Sequence, residues 1–131
     1  MAQKIKILLV DDEKSILDEF EHTLKTLTSY EVRTVSDSAQ AISLCQKEQF
    51  DVLVTDVRMP KMDGVEAIKK IREFDKSIPI IVISAYVDDP KASEAMRYGI
   101  SGIFCKHKDF QEGLSLLESA LRVHKNLKRN P

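Results

Sequence analysis

The sequence has few cysteines, no long apolar run and almost no net charge, and each shortage argues against a class of protein. Two cysteines, Cys45 and Cys105, are too few and too far apart for a disulfide framework, so we expect a reducing, cytoplasmic environment. No apolar run approaches the roughly 20 residues that span a bilayer. The residues after Met1 lack the long apolar segment of a secretory signal. We therefore expect neither a membrane protein nor a secreted one.

The charges nearly cancel, with 20 Lys and Arg against 21 Asp and Glu and a formal net charge of -1. Such a balance provides no general attraction to nucleic acid or to an anionic membrane surface. The basic tail, residues 125–131, has no aromatic platform for bases, so we expect a linker there and no direct nucleic-acid binding. With 131 residues and 43% apolar content, the chain is long enough for one domain with a hydrophobic core.

Short apolar runs alternate along the chain with amphipathic stretches. The runs that predict strands are, in order, 5–10, 30–35, 50–55, 79–83 and 100–105. Between and after them, apolar residues recur at helical spacing, and helix-starting residues precede several of the stretches, among them Asp63-Gly64 and Asp89-Pro90. The predicted apolar stripes include Leu27, Phe74 and Met96, and the fourth helix should stop at Gly99. Five strands alternating with five helices predict an α/β fold with a parallel sheet covered on both faces.

Polar side chains follow four of the five predicted strands. Asp11 and Asp12 follow the first, Asp56 ends the third, Ser84 the fourth and Lys106 the fifth. Each has an ordinary explanation by itself: a helix cap, a turn former or a solvated charge. In open parallel sheets, however, the carboxyl ends of the strands meet at one edge, and ligands bind in the crevice there. We therefore treat the five residues as one candidate site.

Three carboxylates in one crevice need compensation. Two like charges 4 Å apart repel by roughly 4 kcal/mol at an effective dielectric constant near 20, so the cluster needs a divalent cation or raised pKa values. Hard oxygen ligands with room for water suit Mg²⁺ better than Zn²⁺. The only nearby His/Cys combination, Cys105 and His107, has no second pair with zinc-ligand spacing. Carboxylates, Mg²⁺, an ammonium and a hydroxyl together suit the handling of a phosphoryl group.

The segments that carry these residues resemble the receiver domain of two-component response regulators. They are 8–13, 54–60 with 63–64, 83–85 and 102–106, in that order along the chain. The resemblance runs from about residue 5 to residue 124, which implies a receiver domain over 4–124 and a basic tail or linker over 125–131. It also implies a flavodoxin-like fold, doubly wound, with strand order 2-1-3-4-5.

The resemblance implies a role for each carboxylate. Asp56 would be the phosphoacceptor, its carboxylate attacking the phosphorus of a phosphohistidine on a sensor histidine kinase or phosphotransfer protein. Asp12 and Asp56 would bind Mg²⁺ (or Mn²⁺) directly, together with the backbone carbonyl of Arg58, and Asp11 would act mainly through water. The domain would promote its own phosphorylation and dephosphorylation without being a turnover enzyme.

The remaining residues would act on the phosphoryl oxygens. By the same resemblance, Lys106 would neutralise their charge and the Ser84 hydroxyl would move to bind one of them. Arg58 and Tyr86 would flank the group and influence how fast water removes it. The phosphorylated state would be passed on to an output domain or a target protein. Homodimerisation is a further expectation from the family.

Two positions depart from the family pattern. Ile103 stands where receivers usually carry Tyr or Phe, and Phe104 does not replace it simply, because adjacent strand residues face opposite sides. His107 stands where a proline, typically cis, follows the lysine. Since a cis bond without proline costs about 3 kcal/mol, the Lys106–His107 bond is either trans in a reshaped loop or strained. These departures leave open an alternative function: a receiver-like interaction module whose surface does not respond to phosphorylation.

An enzymatic alternative is less well supported by the residues. Magnesium-dependent phosphatases with an aspartyl nucleophile usually carry a second aspartate, as acid and base, two residues later. That position is occupied by Arg58.

Overall fold

The computed structural model describes residues 4–86, 88–106 and 109–129, and it contains five strands and five helices in these ranges. The strands are β1 (Lys6–Val10), β2 (Glu31–Val35), β3 (Val52–Asp56), β4 (Ile80–Ser84) and β5 (Gly102–Cys105). The helices are α1 (Lys14–Leu27), α2 (Ser38–Lys47), α3 (Gly64–Phe74), α4 (Pro90–Ala95) and α5 (Phe110–Arg129), with a 3-10 turn (Met96–Tyr98) after α4. No helix in these ranges has both the length and the apolar character needed to cross a membrane.

All five strands are parallel, and their order is β2-β1-β3-β4-β5. This confirms the predicted fold class and strand order. Every residue of β3 and β4 is buried, as expected for central strands covered on both faces. The polar residues Asp56 and Ser84 are the last residues of these two strands, so the sheet places them at the same edge.

The sheet separates two hydrophobic clusters, and successive residues of one strand belong to different clusters. Leu8 and Val10 pack with residues of α2, α3 and α4, whereas Ile7 and Leu9 pack with residues of α1 and α5. This alternation is the two-residue period of a strand. The continuous apolar runs of the sequence are thus needed because both faces of the sheet are core.

An aromatic cluster attaches α5 to the sheet. The rings of Phe20, Phe104 and Phe110 lie with centroids 5.2 to 5.7 Å apart. Gly113 contacts this cluster closely: a Cβ atom there would lie 2.9 Å from the ring of Phe20. The glycine that weakens the first turn of α5 therefore allows the helix to approach the cluster.

Three predicted stripe residues are exposed instead of buried: Leu27 at 50%, Phe74 at 43% and Met96 at 60%. Leu27 and Phe74 are the last residues of α1 and α3, and Met96 begins the 3-10 turn. A 3-10 turn has three residues per turn, so its side chains leave the stripe set by the preceding α-helix. The periodicity of the sequence identified the helices but extended their buried faces too far.

Gly99 ends the α4 segment with φ 75° and ψ 54°, the left-handed conformation. We expect Gly99→Ala to lower the free energy of unfolding by about 1 kcal/mol, because alanine, unlike glycine, is strained in this conformation. Nothing lies within 4 Å of the added Cβ, so the loss should come from the backbone alone. Urea denaturation measures it, with Gly99→Asn as control, since asparagine tolerates this conformation. Equal losses for both variants would contradict the backbone explanation.

Candidate functional site

The ends of β1 and β3 bring three carboxylates together. Val10 pairs with Thr55 in the sheet, so Asp11 and Asp56, the next residues of each strand, emerge side by side. Asp11 is 0% exposed and Asp56 is 3% exposed, whereas Asp12 is exposed. One carboxylate oxygen of each residue lies within 4.8 Å of the other two. The structure therefore assembles the acidic cluster that the sequence predicted.

Lys106 reaches this cluster from the end of β5. Its backbone N–H donates to the Ser84 carbonyl at 2.7 Å, which continues the pairing of β4 with β5 for one residue. Its buried Nζ lies 2.8 Å from Oδ2 of Asp56, 2.9 Å from Oε1 of Glu13 and 3.1 Å from Oδ2 of Asp11. One ammonium thus bridges three carboxylates.

Burial and the neighbouring charged groups together determine the protonation of Asp11 and Lys106. Burial lowers the pKa of the Lys106 ammonium, but hydrogen bonds to Asp56 and Glu13 outweigh it and the net shift is upward. Burial raises the pKa of Asp11 from 3.8 to about 7, opposed by the backbone N–H of Glu13 and assisted by the charge of Asp56. Lys106 therefore stays cationic, and Asp11 keeps its proton to higher pH than a free aspartic acid does.

Glu13 is a site residue that the sequence analysis overlooked. It stands at the N-cap of α1, yet its side chain makes no capping hydrogen bond. Its carboxylate binds Lys106 instead, and its backbone N–H donates to Oδ1 of Asp11 at 2.9 Å. The available signal was the acidic run Asp11-Asp12-Glu13, of which only the first two members were assigned.

The cluster has the properties of a divalent-cation site. Oδ2 of Asp11 is buried and accepts no hydrogen bond of good geometry from a described residue, although the charge of Lys106 Nζ lies 3.1 Å away. Oδ1 of Asp56 accepts the backbone N–H of Arg58 at 3.1 Å, which directs the loop after β3 toward the cluster. An unbonded buried oxygen beside two more carboxylates fits Mg²⁺, a cation that prefers carboxylate and carbonyl oxygens. The Arg58 carbonyl as a further ligand stays a prediction.

Ser84 lies beside this cluster and is bound to a residue that the sequence analysis treated only as a helix cap. Its hydroxyl lies 2.8 Å from the Tyr86 carbonyl oxygen and 3.1 Å from Oδ2 of Asp89. The Arg58 guanidinium donates two hydrogen bonds to the same carboxylate, at 2.9 and 2.7 Å. Asp89 also caps α4 by accepting from the N–H of Lys91. The sequence signal Asp89-Pro90 located the cap but not these partners.

The other modulatory positions lie in different surroundings. Tyr86 is 61% exposed at the rim of the site. Ile103 packs partly buried against the cluster of α2, α3 and α4, whereas Phe104 packs with α1 and α5, as predicted from the alternation of the strand. His107 lies outside the described residues. Roles for Arg58, Tyr86, Ile103 and His107 in the phosphoryl chemistry stay predictions.

The loop after β3 is held tightly against the site. Gly64, the first residue of α3, donates its N–H to the Val57 carbonyl at 3.0 Å. A Cβ atom at Gly64 would overlap the Asp56 carbonyl oxygen and lie 2.8 Å from Cα of Val57. Lys61, within the same loop, has φ 69°, a conformation that non-glycine residues seldom adopt. The Asp-Gly pair thus starts α3 and also lets its backbone approach the strand that ends in Asp56.

The raised pKa of Asp11 predicts a pH dependence of stability in the absence of divalent metal. Between pH 3.8 and about 7 the folded protein retains a proton that the unfolded chain has released. The contribution of Asp11 to the free energy of unfolding should therefore fall as pH rises through this interval. Asp11→Asn should remove that decline, so its stability relative to wild type should increase from pH 4 to pH 7.5.

Urea denaturation in EDTA at several pH values measures this difference. Asp12→Asn removes a carboxylate of the same cluster from an exposed position and is the matched control for loss of one negative charge. If the two variants changed the pH dependence equally, burial of Asp11 would not be the cause.

Comparison with known proteins agrees with the fold. A model of the response regulator receiver domain matches residues 7–118. The transcriptional regulatory protein ZraR of Klebsiella oxytoca is 32% identical over 130 residues, 99% of this chain and 29% of its own length. The DNA-binding transcriptional regulator NtrC of Proteus hauseri is 32% identical over 97% of this chain and 27% of its own length. This chain thus spans less than a third of either relative.

Solved structures match over nearly the whole chain. The chemotaxis protein CheY4 of Vibrio cholerae has 34% identity and a TM-score of 0.84, covering 91% of this chain and 100% of that one. The signal receiver domain of an HD domain-containing protein from Pseudomonas fluorescens Pf-5 has 26% identity and a TM-score of 0.90, covering 100% and 96%. The chain belongs to the response regulator receiver domain family.

Proposed function

We propose that this receiver domain is a phosphoacceptor switch of a two-component system, in which Asp56 takes a phosphoryl group from a phosphohistidine in a Mg²⁺-dependent reaction. The observation that carries the proposal is the 2.8 Å contact between Oδ2 of Asp56 and Nζ of Lys106 inside a cluster of two further aspartates. A sensor histidine kinase or a phosphotransfer protein would supply the group.

The chemistry asks little of the protein beyond position and charge. A carboxylate oxygen of Asp56 forms a bond to phosphorus, the N–P bond of the phosphohistidine breaks, and the imidazole leaves with the electron pair of that bond. Two contacts orient the carboxylate: the Arg58 amide at Oδ1 and the Lys106 ammonium at Oδ2. The product is an acyl phosphate, which water hydrolyses, and such a labile bond suits a reversible signal.

Negative charge on the phosphoryl oxygens is the main obstacle to the transfer. Lys106 stays protonated because its hydrogen bonds raise its pKa, so its positive charge is available throughout. Mg²⁺, held by Asp12, Asp56 and the Arg58 carbonyl, would be the second cation beside the phosphoryl oxygens. Asp11, whose Oδ2 accepts no hydrogen bond from a described residue, would assist through water. The Ser84 hydroxyl, at the end of the neighbouring strand, would bind one phosphoryl oxygen.

The domain bounds, the location and the partners follow from the same proposal. Residues 4–124 would form the receiver unit, in the cytoplasm, and 125–131 would be a tail or a linker. Among the relatives, several are named transcriptional regulators and are much longer than this chain. The phosphorylated domain would act by binding an output domain, a target protein or a second copy of itself, and it would not turn over a substrate as an enzyme does.

One observation favours a second candidate, a receiver fold that binds a partner whether or not it is phosphorylated. Ile103 packs as an ordinary aliphatic residue against the α3 and α4 side of the sheet, at the position where receivers usually carry Tyr or Phe. Amide exchange of α4 with and without beryllofluoride, a mimic of the acyl phosphate, distinguishes the two candidates. An unchanged exchange pattern despite bound beryllofluoride would favour the interaction module.

Phosphorylation of Asp56 can be tested directly. Incubation with acetyl phosphate and Mg²⁺ should add one phosphoryl group, seen by intact mass, and the addition should be lost at acid or alkaline pH as an acyl phosphate is. Asp56→Asn should abolish it while preserving the shape of the side chain. Asp18→Asn, an exposed aspartate of α1, serves as control and should leave it intact. A gain of mass that survives Asp56→Asn would refute the proposal.

Binding of Mg²⁺ should stabilise the folded domain. At ten times its dissociation constant, Mg²⁺ should raise the free energy of unfolding by about 1.4 kcal/mol, because the assembled site exists only in the folded state. Asp12→Asn should lose most of this response with little change in metal-free stability, since Asp12 is exposed and hydrogen-bonds to no described residue. Thermal denaturation at matched ionic strength measures both effects. An equal response in wild type and Asp12→Asn would remove Asp12 from the metal site.

A further inference from the structure

The carboxylate of Asp89 does more than cap α4. A cap needs one oxygen to accept one backbone N–H, which Asp89 provides to Lys91 at 2.9 Å. Its side chain, 0% exposed, also accepts both hydrogen bonds of the Arg58 guanidinium and lies 3.1 Å from the Ser84 hydroxyl. Burying a carboxylate is costly unless it is paired and hydrogen-bonded, and these contacts supply both conditions. Serine, threonine or asparagine would suffice for the cap alone.

The contact with Ser84 has a definite polarity. The hydrogen bonds from Arg58 outweigh the effect of burial and lower the pKa of Asp89, so the carboxylate is ionised and can only accept. Ser84 must therefore donate, and its single hydroxyl proton is divided between Oδ2 of Asp89 and the Tyr86 carbonyl oxygen. The same proton cannot be given to a phosphoryl oxygen at the same time. Asp89 and a phosphoryl group on Asp56 thus compete for one hydrogen atom.

The first turn of α4 is attached to the loop after β3 by two ion pairs. Arg58 binds Asp89, and Lys91 binds Asp63 with an Nζ–Oδ2 distance of 2.8 Å. Arg58 and Asp63 flank the loop between Asp56 and α3, whereas Asp89 and Lys91 belong to the start of α4. A change in the hydrogen bonding of Asp89 is therefore transmitted to α4 through charged groups at the site itself.

If the Ser84 hydroxyl moves away, the buried carboxylate of Asp89 still has hydrogen-bond partners. Without the serine, its carboxylate keeps two hydrogen bonds from Arg58 and one from Lys91. The loss is one hydrogen bond of four, so it is small enough to be reversed when the phosphoryl group leaves. This is the energetic range that a two-state element needs.

We propose that Asp89 is a positioning residue that holds the Ser84 hydroxyl and the Arg58 guanidinium in the resting state, and that loss of its bond to Ser84 transmits phosphorylation to α4. The inference rests on the proposed function, since Ser84 must leave Asp89 to bind the phosphoryl group. It supplies a route for the signal that does not depend on an aromatic side chain at position 103.

The test compares the affinity of the full chain for beryllofluoride, in Mg²⁺, before and after Asp89→Asn. Asparagine keeps the cap but replaces one acceptor oxygen by an amide donor, so the Ser84 hydroxyl loses Asp89 as an acceptor and keeps only the Tyr86 carbonyl oxygen. Beryllofluoride should bind roughly threefold to tenfold more tightly, the factor for one partly shared hydrogen bond to a charged group. Fluorine NMR measures the bound fraction. Asp88→Asn, an exposed aspartate next in sequence, is the matched control and should leave the affinity unchanged.

A double-mutant cycle separates positioning from simple capping. If Asp89 acts through the Ser84 hydroxyl, Asp89→Asn should have no effect on affinity in the Ser84→Ala background. Amide exchange of residues 91–95 should also shift on beryllofluoride binding in wild type and be partly shifted already in Asp89→Asn without it. Asp89→Ser, which keeps a cap oxygen too short to reach Ser84, repeats the measurement if Asp89→Asn does not fold.

The outcomes separate the inference from the function on which it rests. Equal affinity in wild type and Asp89→Asn, or the same change in both Ser84 backgrounds, would overturn the positioning role while beryllofluoride binding upheld the phosphoacceptor. Failure of the wild type to bind beryllofluoride would overturn the proposed function together with the inference. Tighter binding that requires Ser84 would support both.

Discussion

The ammonium of Lys106 is the interaction on which the site depends. It is buried and within 3.1 Å of carboxylate oxygens from Asp11, Glu13 and Asp56. Removing the cation from such a group would leave uncompensated buried charges, which commonly costs about 3–5 kcal/mol. The carboxylates and the lysine come from opposite parts of the chain, so they can meet only if β1, β3 and β5 are correctly ordered in one sheet. The fold and the charge balance of the site therefore require each other.

The site lowers the stability of the fold, and the buried core around it offsets this loss. Asp11 retains a buried oxygen without a hydrogen bond, and Lys61 adopts a left-handed conformation in the adjoining loop. Strain and like charges of this kind persist where the surrounding structure holds them in place. Here the surroundings are the central strands β3 and β4, buried along their whole length, and the close approach of Gly64 to the end of β3. A rigid sheet edge keeps the carboxylates near each other in readiness for a cation.

The charged groups continue from the site into α4, which has no comparable attachment through large apolar side chains. Its buried residues are two alanines, Ala92 and Ala95, whereas Arg58 and Asp63 hold its first turn through ion pairs. Small apolar contacts contribute little burial energy, so the position of α4 depends more strongly on these ion pairs. The start of α4 is therefore joined by ion pairs to the loop that follows Asp56.

The sequence by itself determined the order of elements, the parallel sheet and the polar residues at the carboxyl ends of its strands. These follow from apolar runs of strand length and from polar residues at their ends, signals that are local along the chain. Only the tertiary structure decided that Glu13, and not Asp12, joins Asp11 in binding Lys106, because Glu13 and Asp12 are equivalent by local pattern. It also decided that Asp89 joins Ser84 and Arg58. That contact spans 31 residues between Arg58 and Asp89, and no periodicity records a pairing between side chains of two different loops.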